Sequence, residues 1–262
     1  PSLVPLPWMS DAAFDSLVLP DRVFSGLHLL TATTTAPQSE HDRASGRGNL
    51  RLVLLQGAPG TGKTASAEIL ASVTHHGLYR VPLSNLLGSH NIAEALDKEM
   101  QVARSANCLV LIDEADLIVR TRGLDLSHNE LVASLLSRLE YMDGVLFMTT
   151  NRQDDIDPAI RSRCSAIMTF KCPDAAGMRT VWEKNFARCS LDVKLTEAQW
   201  ESILSNEMSP RDVVMCANNL YSYKFGSGNR PTSAVVMDCT ENRDEFELLL
   251  DTISMVIGQI LD

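Results

Sequence analysis

The sequence predicts an α/β fold: a three-layer αβα domain built on a parallel sheet, followed by a small helical domain. Three observations carry this. Short apolar runs alternate with helix-forming stretches between Leu50 and Phe170, the pattern of a parallel sheet covered on both faces. A glycine-rich turn, Gly57-Ala58-Pro59-Gly60-Thr61-Gly62-Lys63-Thr64, separates the first such strand from the first such helix. After Pro173 the strand pattern fades and apolar residues recur at helical spacing.

Residues 1–49 read as a linker and flexible loop, 50–173 as the α/β domain, and 174–262 as the helical domain with a C-terminal helix. A helix is expected from Asp21 to Leu30, then a Thr-rich and Gly-rich loop over 31–49. The strand-like runs are Leu52–Leu55, Leu78–Pro82, Cys108–Ile112, Gly144–Thr149 and Ala166–Phe170. Helices are expected over Ala65–Val73, Ile92–Ala106 and Ser127–Tyr141, with Ser127 and Glu130 spaced as a capping box. Beyond Pro173 come Ala175–Ala187, Thr196–Ser205 capped by Thr196, and Pro210–Tyr221 opened by its proline. Gly226–Thr232 reads as a loop, and Asp244–Leu261 as a final helix with an apolar stripe.

The chain has 262 residues, 45% of them hydrophobic, enough for a large core. No apolar run reaches membrane-spanning length. The N-terminus, Pro1-Ser2-Leu3-Val4-Pro5, has neither a Met nor a signal-peptide pattern, so a piece of a longer protein is expected. A net charge of −10 argues against a simple duplex-DNA binder. The six cysteines form no C-x-x-C pair. Zinc spacing is therefore absent, and a reducing intracellular compartment, cytoplasm or nucleus, is the plain expectation.

The turn at 57–64 fits G-x-x-x-x-G-K-[ST] between a strand and a helix, the context in which such a loop binds phosphate. Its glycines let successive backbone N–H groups point at one anion, and the helix opening at Ala65 adds its dipole. Gly57 through Ala65 is thus the candidate nucleotide cradle. Lys63 would face the outer phosphates, and the Thr64 hydroxyl would face Mg²⁺. The apolar strand ending in Asp113 and Glu114 supplies two carboxylates at a strand end beside the loop. Asp113 would reach the Mg²⁺ shell, and Glu114 would polarise an attacking water. Asn151 ends the next strand, where an amide can hold both water and γ-phosphate. Asp157-Pro158-Ala159-Ile160-Arg161-Ser162-Arg163 brings two guanidinium groups before another strand. Either arginine suits a phosphate offered by a neighbouring subunit. Arg211 opens a helix in the second domain, as a solvated first-turn residue or as a sensor of the γ-phosphate.

The ordered set Gly57–Thr64, Leu109–Glu114, Thr149–Asn151, Asp157–Arg163 and Arg211 resembles an AAA+ ATPase over nearly all of residues 14–223. Within that family, the stretches around Asn129–Val132, Leu139–Gly144 and Thr149–Arg152 resemble a poorly characterised group found in fungal multidomain proteins. The resemblance implies a P-loop NTPase domain with a helical lid, ATP and Mg²⁺ as ligands, and a homo-oligomeric ring, most often a hexamer. By family, Lys63 and Thr64 are Walker A, Asp113 and Glu114 Walker B, and Asn151 sensor 1. Arg163 and Arg161 form the finger region, and Arg211 is sensor 2. Adenine contacts are expected near Leu17–Leu19 and in the lid.

One departure concerns Ser84-Asn85-Leu86-Leu87-Gly88-Ser89-His90, where protein-threading relatives carry an aromatic pore loop. Here Leu86 and Leu87 are left to grip a polypeptide. Asp113-Glu114-Ala115-Asp116 also spells a helicase signature, but Thr149-Thr150-Asn151 replaces the expected Ser-Ala-Thr, and the residues after Pro173 read as helical and too few for the second RecA-like domain such helicases need. Ala115 and Asp116 then simply begin a turn. The leading expectation is an ATP-driven remodeller of a protein or protein complex. The alternatives are a loader-like subunit acting on nucleic acid and a nucleotide-gated assembly module with little turnover.

Overall fold

The structure is a computed structural model that describes residues 8–35, 50–87, 91–122, 126–225, 235–240 and 242–261. The expected loop at 226–232, most of that at 31–49, and the tip at 88–90 lie outside the described residues. The described residues fall into two compact units. The first is drawn from Pro1–Asp15, Leu19–Ala58 and Lys63–Lys171, the second from Ser16–Val18, Pro59–Gly62 and Cys172–Asp262.

The first unit is built on five parallel strands: β1 (Leu50–Gly57), β2 (Gly77–Arg80), β3 (Cys108–Ile112), β4 (Gly144–Thr150) and β5 (Cys164–Phe170). Their order is β2-β3-β4-β1-β5. β1 pairs with β4 from Leu50↔Gly144 to Gln56↔Thr150, and with β5 up to Gly57↔Phe170. Leu52, Val53, Leu54 and Leu55 are each at most 1% exposed, so both faces of β1 are covered. That explains the unbroken apolar run, because parallel sheets bury alternate side chains on opposite faces.

The helices of this unit are α1 (Asp21–Thr35), α2 (Lys63–Val73), α3 (Leu83–Leu87), α4 (Ile92–Ser105), α5 (Asp116–Val119), α6 (Leu126–Leu139) and α7 (Pro158–Arg163). On one face, Leu54, Val110, Ile112, Leu146 and Met148 pack with Leu96 and Met100 of α4 and with Val132 and Leu135 of α6. On the other, α1 packs on β5 and α2, and α2 on β1, β3 and β4. α1 runs one turn past the expected Leu30, and Val23, Leu27 and Leu30 are buried along it. A 3₁₀ helix, Asp11–Ser16, precedes it and buries Phe14. α6 begins at Leu126, one residue before the expected cap at Ser127.

The second unit holds α8 (Ala175–Arg188), α9 (Glu197–Leu204), α10 (Pro210–Phe225) and α11 (Arg243–Leu261). Trp182, Phe186, Trp200, Leu220 and Ile253 share its core. Thr196 caps α9 in a full capping box with Gln199. The unit is not purely helical. β6 (Leu191–Lys194) and β7 (Val235–Asp238) form a parallel pair, from Leu191↔Val235 to Lys194↔Asp238. Ser190, with φ 56°, reverses the chain at the end of α8 and launches β6. A strand of four residues whose partner lies far downstream is too short for its alternation to stand out.

Candidate functional site

The loop after β1 is shaped by its glycines. Gly57 has φ 151°, and a Cβ there would stand 2.1 Å from the Phe170 carbonyl oxygen. Gly60 and Gly62 have φ of 74° and 95°, conformations that side-chain-bearing residues rarely adopt. α2 begins at Lys63 itself, so the loop runs straight into a helix N-terminus. Lys63 is buried, and its Nζ donates to the carbonyl oxygens of Gly57 at 2.8 Å and Ala58 at 2.7 Å. Its third partner is Asn151 Oδ1 at 3.0 Å, which uses all the ammonium's donors. Burial lowers the Lys63 pKa, partly opposed by the charges of Asp116 and Asp113. A desolvated cation beside left-handed glycines and a helix start is suited to a phosphate.

Thr64 Oγ1 donates to Asp113 Oδ1 at 3.0 Å, joining the start of α2 to the end of β3. Thr149 Oγ1 donates to the same carboxylate oxygen at 2.5 Å and accepts the Glu114 N–H at 2.9 Å. Glu114 is exposed, with φ 53°. That left-handed backbone is the kind of strain found at functional positions. A hydroxyl and a carboxylate at hydrogen-bond distance are hard oxygen donors that fit Mg²⁺. Among the described residues no group of three or more His, Cys, Asp or Glu side chains gathers to hold a metal. An ion at Thr64 and Asp113 would therefore draw its other ligands from water and phosphate.

Asp157 caps α7, accepting the Ala159 N–H at 2.7 Å, and its other oxygen takes Arg122 Nε at 2.7 Å. Burial pushes the Asp157 pKa up, but these donors overrule it and hold the carboxyl below its ordinary value. Arg161 is exposed and donates to the Gln153 carbonyl at 3.3 Å. Arg163 is half-buried and donates to Glu140 Oε1 at 2.7 Å and to the Ala159 carbonyl at 3.2 Å. Arg211 belongs to the second unit, exposed in the first turn of α10.

The fold thus brings together Gly57, Ala58, Lys63, Thr64, Asp113, Glu114 and Asn151. It leaves Arg161 and Arg163 on α7 and Arg211 in the other unit. Three participants have no role that the sequence alone assigns. Thr149 ties Asp113 to the Glu114 backbone. Asp116, quoted above only within a turn, accepts Thr150 Oγ1 at 2.6 Å and the Asn151 N–H at 3.0 Å. Glu140 holds Arg163. Leu86, expected as a gripping side chain, is fully buried in the core of the first unit because α3 turns it inward.

Among the described residues no helix is long and apolar enough to cross a membrane. Residues 53–172 match the family described as the ATPase family associated with various cellular activities, AAA. The chain is 37% identical over 131 residues to an uncharacterised AAA family ATPase of Sinorhizobium fredii, covering 47% of this chain and 40% of that protein. It is 35% identical over 152 residues to a protein of Methanocaldococcus jannaschii named as a 26S proteasome regulatory subunit homolog, covering 54% of this chain and 41% of that one. It is 35% identical over 152 residues to the ATP-dependent zinc metalloprotease FtsH 1 of Sphaerobacter thermophilus, covering 51% of this chain and 22% of that one. The chain spans less than half the length of these relatives. With the glycine loop, the two strand-end clusters and nearly all of the parallel sheet inside the matched stretch, residues 53–172 are an AAA-family ATPase domain.

Proposed function

We propose that the chain binds ATP with Mg²⁺ and hydrolyses it. The observation that supports this most is the meeting of Lys63 with Asn151 and of Thr64 with Asp113, which gathers cation, hydroxyl, carboxylate and amide at one end of the sheet. The Gly57–Ala65 backbone would cradle the phosphates, with Lys63 trading its carbonyl partners for phosphate oxygens. Thr64 and Asp113 would hold Mg²⁺, which neutralises charge on the phosphates. Glu114 would take the proton of the attacking water, and Asn151 would orient that water. Catalysis of this kind is positioning and charge stabilisation.

We further propose that hydrolysis is completed by a neighbouring copy in a ring, for which a hexamer is the working assumption, with Arg161 or Arg163 reaching across. Arg161, which is exposed, would give up only the Gln153 carbonyl to do so, whereas Arg163 must leave the Glu140 carboxylate and the Ala159 carbonyl. Arg211 is retained as a candidate sensor, and Leu17–Leu19 with the second unit as candidate adenine contacts. The relatives' names, a proteasome regulatory subunit homolog and an ATP-dependent protease, favour a protein over a nucleic acid as the object of the work. A reducing compartment fits the six cysteines, none of which is in a disulfide. In Cys164 and Cys216, burial raises the thiol pKa to about 11 and about 12.

A second reading, a nucleotide-gated assembly module, gains support from the burial of Leu86, which removes one of the side chains expected to grip a polypeptide. Phosphate release measured against protein concentration separates the two. The remodeller reading expects turnover per chain to rise with concentration, and to fall on the order of a thousandfold in Arg161→Ala. Undiminished turnover in both Arg161→Ala and Arg163→Ala would remove the shared site. ATP-dependent assembly with negligible phosphate release would favour the module.

A further inference from the structure

The turn Asp113–Asp116 is stitched residue by residue to Thr149–Asn151. Asp113 accepts from the Thr149 hydroxyl, and the Glu114 N–H donates to that same hydroxyl. The Ala115 N–H donates to the Thr149 carbonyl at 2.8 Å. Asp116 then takes two hydrogens on one oxygen, from Thr150 Oγ1 and from the Asn151 backbone. Thr150 Oγ1 also accepts the Arg152 N–H at 3.0 Å. The ladder between β3 and β4 stops at Ile112↔Met148, and that between β1 and β4 at Gln56↔Thr150. Asn151 therefore lies beyond both ladders. Its backbone is held by Asp116 and its side chain by Lys63. α5, which begins at Asp116, is too short for a helix dipole to account for a carboxylate there.

We propose that Asp116 is a positioning residue: it fixes Asn151, and through the shared turn it locks Asn151 and Glu114 into one geometry. The proposal rests on the reading of this cluster as an ATP-hydrolysing site. Asp116 touches no reacting atom. Its carboxylate replaces the missing strand partner at the point where β4 delivers its amide, so its loss should slow the chemical step while leaving nucleotide affinity alone.

The test uses the 262-residue chain, with turnover read by phosphate release and affinity by calorimetry with a non-hydrolysable ATP analogue and Mg²⁺. Asp116→Ala should lower kcat about tenfold to a hundredfold, the scale of a misplaced catalytic group, with affinity unchanged within about twofold. Asp116→Asn, whose amide oxygen still accepts both hydrogens, should recover most of the rate. The loss in Asp116→Ala combined with Asn151→Ala should fall well short of the product of the two single losses, because Asp116 acts chiefly through that amide. A merely structural role would make the two losses multiply and would lower affinity and melting temperature together. Should Asp116→Ala fail to fold, Thr150→Val, which removes the hydroxyl at the other end, carries the same expectation. Wild-type turnover with an equally active Asp116→Ala overturns the proposal alone. A wild-type chain that neither binds nor hydrolyses ATP overturns the underlying reading and the proposal with it.

Discussion

Lys63 donates to the side-chain oxygen of Asn151 at 3.0 Å, although 88 positions separate them in the chain. The contact places the loop cation against the end of β4, where burial lowers its pKa.

Replacing that charge should cost both binding and stability. Lys63→Met keeps the length of the side chain and removes the ammonium. Charge-assisted hydrogen bonds contribute about 1.5–3 kcal/mol, so ATP affinity should fall roughly ten- to a hundredfold by calorimetry. The fold should lose stability as well, because the Gly57 and Ala58 carbonyls and the Asn151 side-chain oxygen are left without their donor. The sign with pH follows from the lowered pKa. Between the folded value and the unfolded value, about 10.4, the unfolded chain binds more protons, so wild-type stability rises with pH there. Wild type should therefore gain stability relative to Lys63→Met across that alkaline window. A difference that stays constant would contradict the burial of an ionised Lys63.

Glu114 offers the opposite trade. Its φ of 53° costs a side-chain-bearing residue about 1 kcal/mol. Glu114→Gly should therefore leave stability unchanged or raise it by up to about 1 kcal/mol in urea unfolding, while turnover is lost. Glu114→Gln should lose turnover and keep ATP affinity. Stability that falls in Glu114→Gly would mean that the carboxylate, and not the backbone, was holding the turn.

Gly57→Ala tests the shape of the loop. A Cβ 2.1 Å from the Phe170 carbonyl oxygen forces either β5 or the loop to move. Destabilisation of about 3 kcal/mol or more is expected, from a clash with backbone rather than with a yielding side chain. Denaturant unfolding checks it without nucleotide present.

Asp157 sets an acid limit. Its carboxyl is held below the ordinary value by Arg122 and the Ala159 N–H against its own burial. The stability it contributes is present above the unfolded pKa, about 3.9, and is lost as pH falls through the lower folded value. Arg122→Ala removes the chief donor, so burial then dominates and the folded pKa rises. The acid-unfolding midpoint of that variant should move to higher pH by circular dichroism. An unmoved midpoint would show that the Ala159 N–H alone holds the carboxylate.

The legible parts of this protein are those written locally. The loop at 57–64, the carboxylates after β3 and the amide after β4 each sit at the junction of a periodic run and a turn, and their identities follow from chemistry at one place in the chain. The strands of the sheet were legible for the same reason: parallel strands buried on both faces leave continuous apolar runs. What stayed hidden depends on register between distant segments. Asp116 spells a turn until β3 and β4 align it with Thr150. Glu140 is a plain helix-end residue until α7 brings Arg163 to it. Leu86 looked available because nothing in its neighbours announces that α3 folds it inward. β6 alternates Leu, Asp, Val and Lys as a strand should, yet its length gave the pattern no weight.

The β6–β7 pair ties the last stretch of chain to the middle of the second unit. Met237 and Leu249 share a core with Trp200 and Leu220. A version trimmed before Val235 would leave Leu191–Lys194 with an open row of amide and carbonyl groups, and two tryptophans without their cover. Unsatisfied edges of that sort recruit other chains, so such a fragment should clump on storage, and recombinant work on the domain is best carried through to the C-terminal helix.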